Sequence, residues 1–530
     1  MNNKKRTNVK KRRYKKKMIL GLIIFISLSL IIGSFQILNT LPLENNIGGK
    51  LNTSLTKSNE ITICNTPNDQ NYIDLISDGF DGAIITWQDN RTGNWDIYAQ
   101  KIDANGVIQW NDNGTVICNA KNTQQTPKIT IDGFGGAIIT WEDNRTGKWD
   151  IYAQRINPNG VLQWNDNGTV ICNASNTQQW QELINDGENG AIITWQDQRK
   201  GTLDIYAQKI DANGIIQWGN NGMVICNATN TQRKPKITTD EQKGAIITWA
   251  DIRIGNWDLF AQKIDANGVT QWGNNGTVIC NATSFQSFPE IISDGENGAI
   301  TTWYDNRKGG YDIYAQRIDA NGITRWGNNG TVICSATNTQ QKPKITTDGQ
   351  KGAIITWADI RGDHWDIYAQ KIDASGNLQW NNNGTLICNA SYSQDVPHIT
   401  SDDMNGAIIS WKDARKTTEF DIYSQRINSS GSIQWNGNGT FICNFTGDQE
   451  GEQIINIGSG KVLIAWEDNR NGNLDILARI ITYSTSTIDP NGNGGIPGFN
   501  PIIIGVISVV SSTIIATKIY KRKKKEAHIQ

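Results

Sequence analysis

The chain has 530 residues and carries 50 Lys and Arg against 51 Asp and Glu, a formal net charge of −1 that hides a strong segregation. Sixteen of the basic residues lie in 1–17 and 518–525; the stretch between keeps 34, against 50 of the acids, and is near −16. That sign argues against nucleic acid and anionic lipid as ligands of the central part.

Residues 1–17 form a basic tail, predicted to be cytoplasmic. Residues 18–39 follow as an apolar, uncharged run, long enough to cross a bilayer as a transmembrane helix or signal anchor. A cleaved signal peptide has a similar start. No clear small-x-small cleavage site follows, and the run is long for a signal. Residues 40–59 read as a linker.

From 60 to 482 one phrase recurs about every 54 residues, with its tryptophan at Trp87, Trp141, Trp195, Trp249, Trp303, Trp357, Trp411 and Trp466. Such a period means stacked or ringed units, none able to bury its apolar faces alone. In the second copy, Pro127-Lys-Ile-Thr-Ile131, Ala137-Ile-Ile-Thr-Trp141 and Asp150-Ile-Tyr-Ala-Gln-Arg-Ile156 are short β-rich runs, as are Val161-Leu-Gln-Trp164 and Thr169-Val-Ile-Cys172. Gly, Asn and Asp turns separate them, and no stretch has a helical apolar stripe. The expectation is an all-β fold, a single eight-bladed β-propeller of four-stranded blades. Asn165-Asp-Asn-Gly168 is either a bulge in the fourth strand or a hairpin that adds a fifth. The fragment Glu60-Ile-Thr-Ile-Cys64 is the last phrase of a repeat standing alone, and the final copy lacks that phrase. The N-terminal strand is therefore expected to complete the last blade and close the ring. One cysteine per repeat, from Cys64 to Cys443, makes the even count of eight a count of repeats, and no disulfide ladder is expected.

Residues 483–500 read as a flexible stalk, 496–517 as a second transmembrane helix and 518–530 as a second basic cytoplasmic tail. The propeller would then stand outside the cell membrane, flanked by two transmembrane helices with both termini inside.

The phrase Trp-x-Asp-x-Arg-x-Gly-x-x-Asp-Ile-Tyr-Ala-Gln resembles tandem-repeat β-propeller surface proteins of bacteria and archaea over 60–482. The segment Ile496-Pro-Gly-Phe-Asn, its apolar run and the basic cluster after it resemble the C-terminal anchors of archaeal surface proteins of the Asgard type. These resemblances imply a repeat type and a location at the cell surface; they do not imply a ligand.

Strand alternation puts eight Asp-x-Arg turns on one face, with Arg91, Arg145, Arg199, Arg253, Arg307, Arg361, Arg415 and Arg470. A ring of guanidinium groups on one face could read anionic sugars or carboxylates. The same residues also suit turn and interblade bonding. Asp89 with Asp96, and Asp143 with Asp150, are weak calcium candidates, since an arginine stands between the acids. On the crossing loops between blades, the aromatics Trp180, Phe285, Phe288 and Tyr392 depart from the consensus; they would either stack on a ligand or pack on the next blade. His398 and one extra residue in the hairpin 416–420 single out the seventh blade. Asn-x-Ser/Thr sequons are abundant and make a glycoprotein plausible, although Asn-Gly is equally a turn signal. There is no HExxH, GxSxG or phosphate loop. The expected function is adhesion or ligand binding toward a surface glycan or protein, or self-association in a surface layer, with no nucleic-acid partner and no cofactor other than calcium. A sialidase-like glycan-processing enzyme with its site in the channel is the alternative.

Overall fold

A computed structural model describes residues 55–416 and 419–484. Both apolar segments, both basic tails and all but the first two residues of the stalk lie outside the described residues. Among those described, no helix is long and apolar enough to cross a membrane.

The first blade shows how a repeat folds. Strands β1 (Thr56–Lys57) and β2 (Ile61–Cys64) precede it; β3 (Gln70–Ser77), β4 (Ala83–Asp89), β5 (Asp96–Ile102) and β6 (Thr115–Cys118) then form an antiparallel sheet in that order. Every residue of Ala83–Asp89 is buried, because both faces of the sheet are covered by neighbouring blades. Seven such four-stranded sheets follow one another. In the eighth, Asp475–Thr482 pairs on one edge with Lys461–Asp468 and on the other with both β1 and β2. The register Ile61↔Ala478 and Thr62↔Leu477 is the predicted closure. β1 extends it by pairing Thr56 with Thr482, a contribution the sequence did not signal. The first strands of successive blades touch all the way round, including blade one against blade eight, and so line a central channel.

The run before the fourth strand is not a fifth strand. Leu162 makes a single bridge to Ile156, and the Asn165–Gly168 segment turns before Thr169–Cys172. This segment is held from outside its own sheet: Trp110 Nε1 donates to the carbonyl of Pro158 in the next blade at 3.0 Å. All eight cysteines are free and buried. Burial pushes the Cys118 thiol up to about 12, so it stays protonated and unreactive.

The hairpin between β4 and β5 lies on the same face as the interblade crossings: Asn144 N–H donates to the Thr123 carbonyl at 2.9 Å, and Gln124 N–H to that of Trp95 at 2.8 Å. The Asp-x-Arg turns therefore share one face. Both described chain ends leave from the other, since Thr56 and Thr482 pair at the end of the last strand far from its hairpin.

Candidate functional site

The Asp-x-Arg residues form interblade rivets. Asp143 is fully buried; its Oδ1 accepts from Arg145 N at 2.9 Å and Nε at 2.8 Å, and its Oδ2 accepts from Trp141 Nε1 at 2.8 Å and Arg145 Nη2 at 2.6 Å. The same Nη2 reaches Cys118 of the preceding blade at 3.2 Å and the Asn167 carbonyl at 2.7 Å, while the guanidinium lies 3.9 Å over the Tyr152 ring. Trp141 stacks on that tyrosine. Equivalent arrangements hold Arg91, Arg199, Arg253, Arg307, Arg361 and Arg415, while Arg470 pairs with Asp468 in the same way but also with Glu60 and lies over Phe445. Each arginine keeps only 16–22 % of its side chain exposed, so the eight are engaged in joining blades and do not present an open ring to a ligand. The calcium candidates are engaged too. Asp89 pairs with Arg91, and the carboxylates of Asp96 and Asp150 accept from the Thr92 and Thr146 hydroxyls at 2.7 Å. Among the described residues no group of His, Cys, Asp or Glu is arranged to hold a metal.

The chemistry that varies from blade to blade sits in the channel. Each first strand carries a one-residue bulge whose central residue adopts a left-handed backbone: Tyr72, Thr126, Trp180, Lys234, Phe288, Lys342, Val396 and Gly451, with φ between 49° and 61°. In five blades proline follows, which has no N–H to give the ladder and suits a bulge. In four blades the bulge N–H donates across the junction to the residue after the preceding tryptophan. Trp180 N reaches Glu142 Oε1 at 2.8 Å, Tyr72 N reaches Glu467 Oε1 at 2.7 Å, and Thr126 and Lys234 bond Gln88 and Gln196. Ala250 and Ala358 offer no such acceptor, so the two sides of the ring are built differently.

Two residues below each bulge runs a belt of alternating charge: Asp74, Lys128, Glu182, Lys236, Glu290, Lys344, then His398 and Gln453. Lys236 lies 2.7 Å from Glu182 and 3.6 Å from Glu290, and Lys344 lies 2.7 Å from Glu290. These side chains keep 22–32 % of their surface, since they face the open channel, yet protein surrounds them on all sides. Burial by itself would raise Glu290, but Lys236 and Lys344 outweigh it and hold the carboxyl down at about 2. Lys128 is held above its ordinary value by Glu182 and Asp74. The alternation breaks at the last two blades. There Glu452 occupies the place of the proline and is fully buried, with His398 Nδ1 3.6 Å from its Oε1. Burial pushes its pKa up.

Above the belt the mouth is aromatic on one side. Trp180 is 52 % exposed and Phe288 42 %, and Lys234 stands between them, its Nζ 3.5 Å from the Phe288 centroid and 4.9 Å from that of Trp180. Trp180, Tyr72, Gln125, Gln179, Glu142 and Lys128 line a cavity of ≈430 Å³. A second, of ≈470 Å³, lies between blades eight and one, with Tyr72, Lys128, Glu450 and Glu467 on its wall. Trp180 and Phe288 were expected on crossing loops; they stand on first strands instead, because the bulge carries them to the channel mouth. Phe285 packs against Tyr304 and Tyr311 as part of the neighbouring wall. Tyr392 is exposed on a crossing loop beside His364, at a different blade junction. The belt and the bulge ring escaped sequence reasoning, although the residue at this position of the repeat alternates in sign from Asp74 to Lys344.

No family model matches the chain. It is 28 % identical over 136 residues to a Protein TolB homolog of Chlorobaculum tepidum, a match covering 26 % of each chain. Among solved structures, a protein of unknown function from Dyadobacter fermentans covers 81 % of this chain and 99 % of its own, at 10 % identity and TM-score 0.41. The polysaccharide lyase Uly1 covers 84 % and 94 %, at 8 % identity and TM-score 0.40. The Hadza microbial sialidase Hz136 covers 63 % and 73 %, at 10 % identity and TM-score 0.34.

Proposed function

We propose that the ring is a ligand-binding module displayed outside a membrane, with a sugar-like ligand seated at the channel mouth on the Asp-x-Arg face. The observation that carries this reading is the ≈430 Å³ cavity, where a half-exposed Trp180 adjoins the amides of Gln125 and Gln179 and the cation of Lys128. A flat aromatic face beside polar groups suits a ring with one apolar side and hydroxyl edges. Display outside is supported by the two apolar segments and their basic flanks. Because both described ends leave from the opposite face, anchored ends would turn this mouth away from the bilayer.

The test is binding of the full chain to a broad glycan array, followed by Trp180→Ala. Saturable binding should weaken at least about tenfold, roughly 1.4 kcal/mol, with the fold unchanged. Binding that ignores Trp180 would place the ligand elsewhere. Glycan processing is the second reading, favoured by one group. Burial, with Glu450 nearby, pushes Glu467 up to about 7 on the wall of the second cavity, in the range of a general acid. Turnover of an array ligand that Glu467→Gln abolishes would favour it; intact ligand after long incubation would remove it.

A further inference from the structure

We infer that the exposed Asn-Ala-Ser/Thr and Asn-Phe-Thr asparagines are N-glycan acceptors, whereas the Asn-Gly-Thr asparagines of the same repeats are structural and are protected from modification in the folded ring. Sequence alone treats the two sets as equal. The structure separates them by what each amide already does.

In the first set, Asn173, Asn227, Asn281, Asn389 and Asn444 are exposed, and no hydrogen bond among the described residues uses their side-chain amides. Each follows the cysteine that ends a fourth strand, so all five stand at blade junctions on the face of the channel mouth. The Asn-Gly-Thr set is placed differently. Asn113, for example, sits at φ 58°; its Oδ1 accepts from Asn65 N at 3.0 Å across the blade junction, and its carbonyl accepts from Arg91 at 2.8 Å. Asn275 repeats this toward Asn227 N at 2.8 Å. The glycine that follows has a left-handed backbone and sits close to the tryptophan of its own blade; a Cβ added at Gly114 would lie 2.5 Å from Trp87. The Asn-Arg-Thr sequon at Asn90 is engaged as well, its Thr92 hydroxyl donating to Asp96.

N-glycosylation needs the amide Nδ2 to attack the anomeric carbon of a sugar carried on a lipid diphosphate. The C–N bond forms as the C–O bond to phosphate breaks; the lipid diphosphate leaves and Nδ2 gives a proton to the enzyme. An amide free in solvent can enter such an active site, whereas one pinned in a left-handed turn between two blades has to unfold the junction first. Whether cells modify the first set rests on the outward display proposed above. The sorting itself does not.

The test treats the folded full chain with an oligosaccharyltransferase that accepts plain Asn-x-Ser/Thr, together with a polyprenyl-diphosphate oligosaccharide, and maps sites by peptide mass spectrometry. Tryptic peptides of the same chain serve as the unfolded control. The expected result is transfer to the five exposed asparagines in the folded chain, with the Asn-Gly-Thr set at least tenfold slower there than in peptides. Equal rates for both sets in the folded chain, or failure of the exposed set while its peptides react, would overturn the sorting. Site mapping on protein from native membranes, with protease accessibility of the ring in sealed vesicles, completes the test. A ring on the inner side sinks the outward display and leaves the sorting standing; an outer ring without glycans overturns the acceptor assignment.

Discussion

Removing one rivet acid, Asp143→Ala, should destabilise the junction between the first and second blades by about 3–5 kcal/mol, the usual cost of breaking a buried ion pair from one side. The carboxylate is fully buried and accepts four hydrogen bonds. Without it, Arg145 keeps its charge with no counterion, and Trp141 Nε1 loses its acceptor inside the core. The reverse change, Arg145→Met, leaves an unpaired carboxylate in the same place and should cost a similar amount. The double variant should cost clearly less than the sum of the two, since neither charge is then orphaned. Repeat arrays unfold in parts, so the local readout is amide exchange at Asn119, whose N–H donates across this junction to Asn167 Oδ1 at 2.9 Å. Its protection should fall by about a hundredfold or more, against little change at the opposite side of the ring. Urea unfolding followed by near-ultraviolet circular dichroism gives the global cost. Single variants within about 1 kcal/mol of the parent, with additive effects, would refute the rivet.

The second acid of each hairpin gives a pH dependence. In blades three to six, where no threonine hydroxyl faces it, burial pushes Asp204, Asp258, Asp312 and Asp366 up to about 6. An acid raised in the folded state stabilises below its unfolded pKa, so stability should fall as pH rises from about 4 through 6, read as a dropping melting temperature. Ile254 is exposed where blades one and two have Thr92 and Thr146, so Ile254→Thr should give Asp258 a donor and stabilise the ring by about 1–2 kcal/mol above pH 6. No gain would mean that the hydroxyl does not reach. Gly168 has φ +91° and an added Cβ would lie 2.5 Å from Trp141, so Gly168→Ala should cost well over 1 kcal/mol in urea unfolding. Ile63 is 1 % exposed in the closing strand, and Ile63→Asp should open the ring, seen as a larger Stokes radius or loss of soluble protein.

Repeat number, blade order and ring closure were legible in the chain, because each depends on periodic apolar runs and on one phrase displaced to the N-terminus. The Asp-x-Arg turns were legible as a motif, but their role was not. Only packing shows that Arg145 reaches back to Cys118, 27 residues earlier and one blade away. The channel belt was hidden for the same reason. Lys128, Glu182 and Lys236 are 54 residues apart along the chain, and each alone reads as a solvated charge. Closing eight blades makes them neighbours, so that charges which each read as solvated act on one another as a belt. Local sequence determined which strands form; the ring decided which side chains meet, because those meetings depend on distances between blades that no single repeat contains.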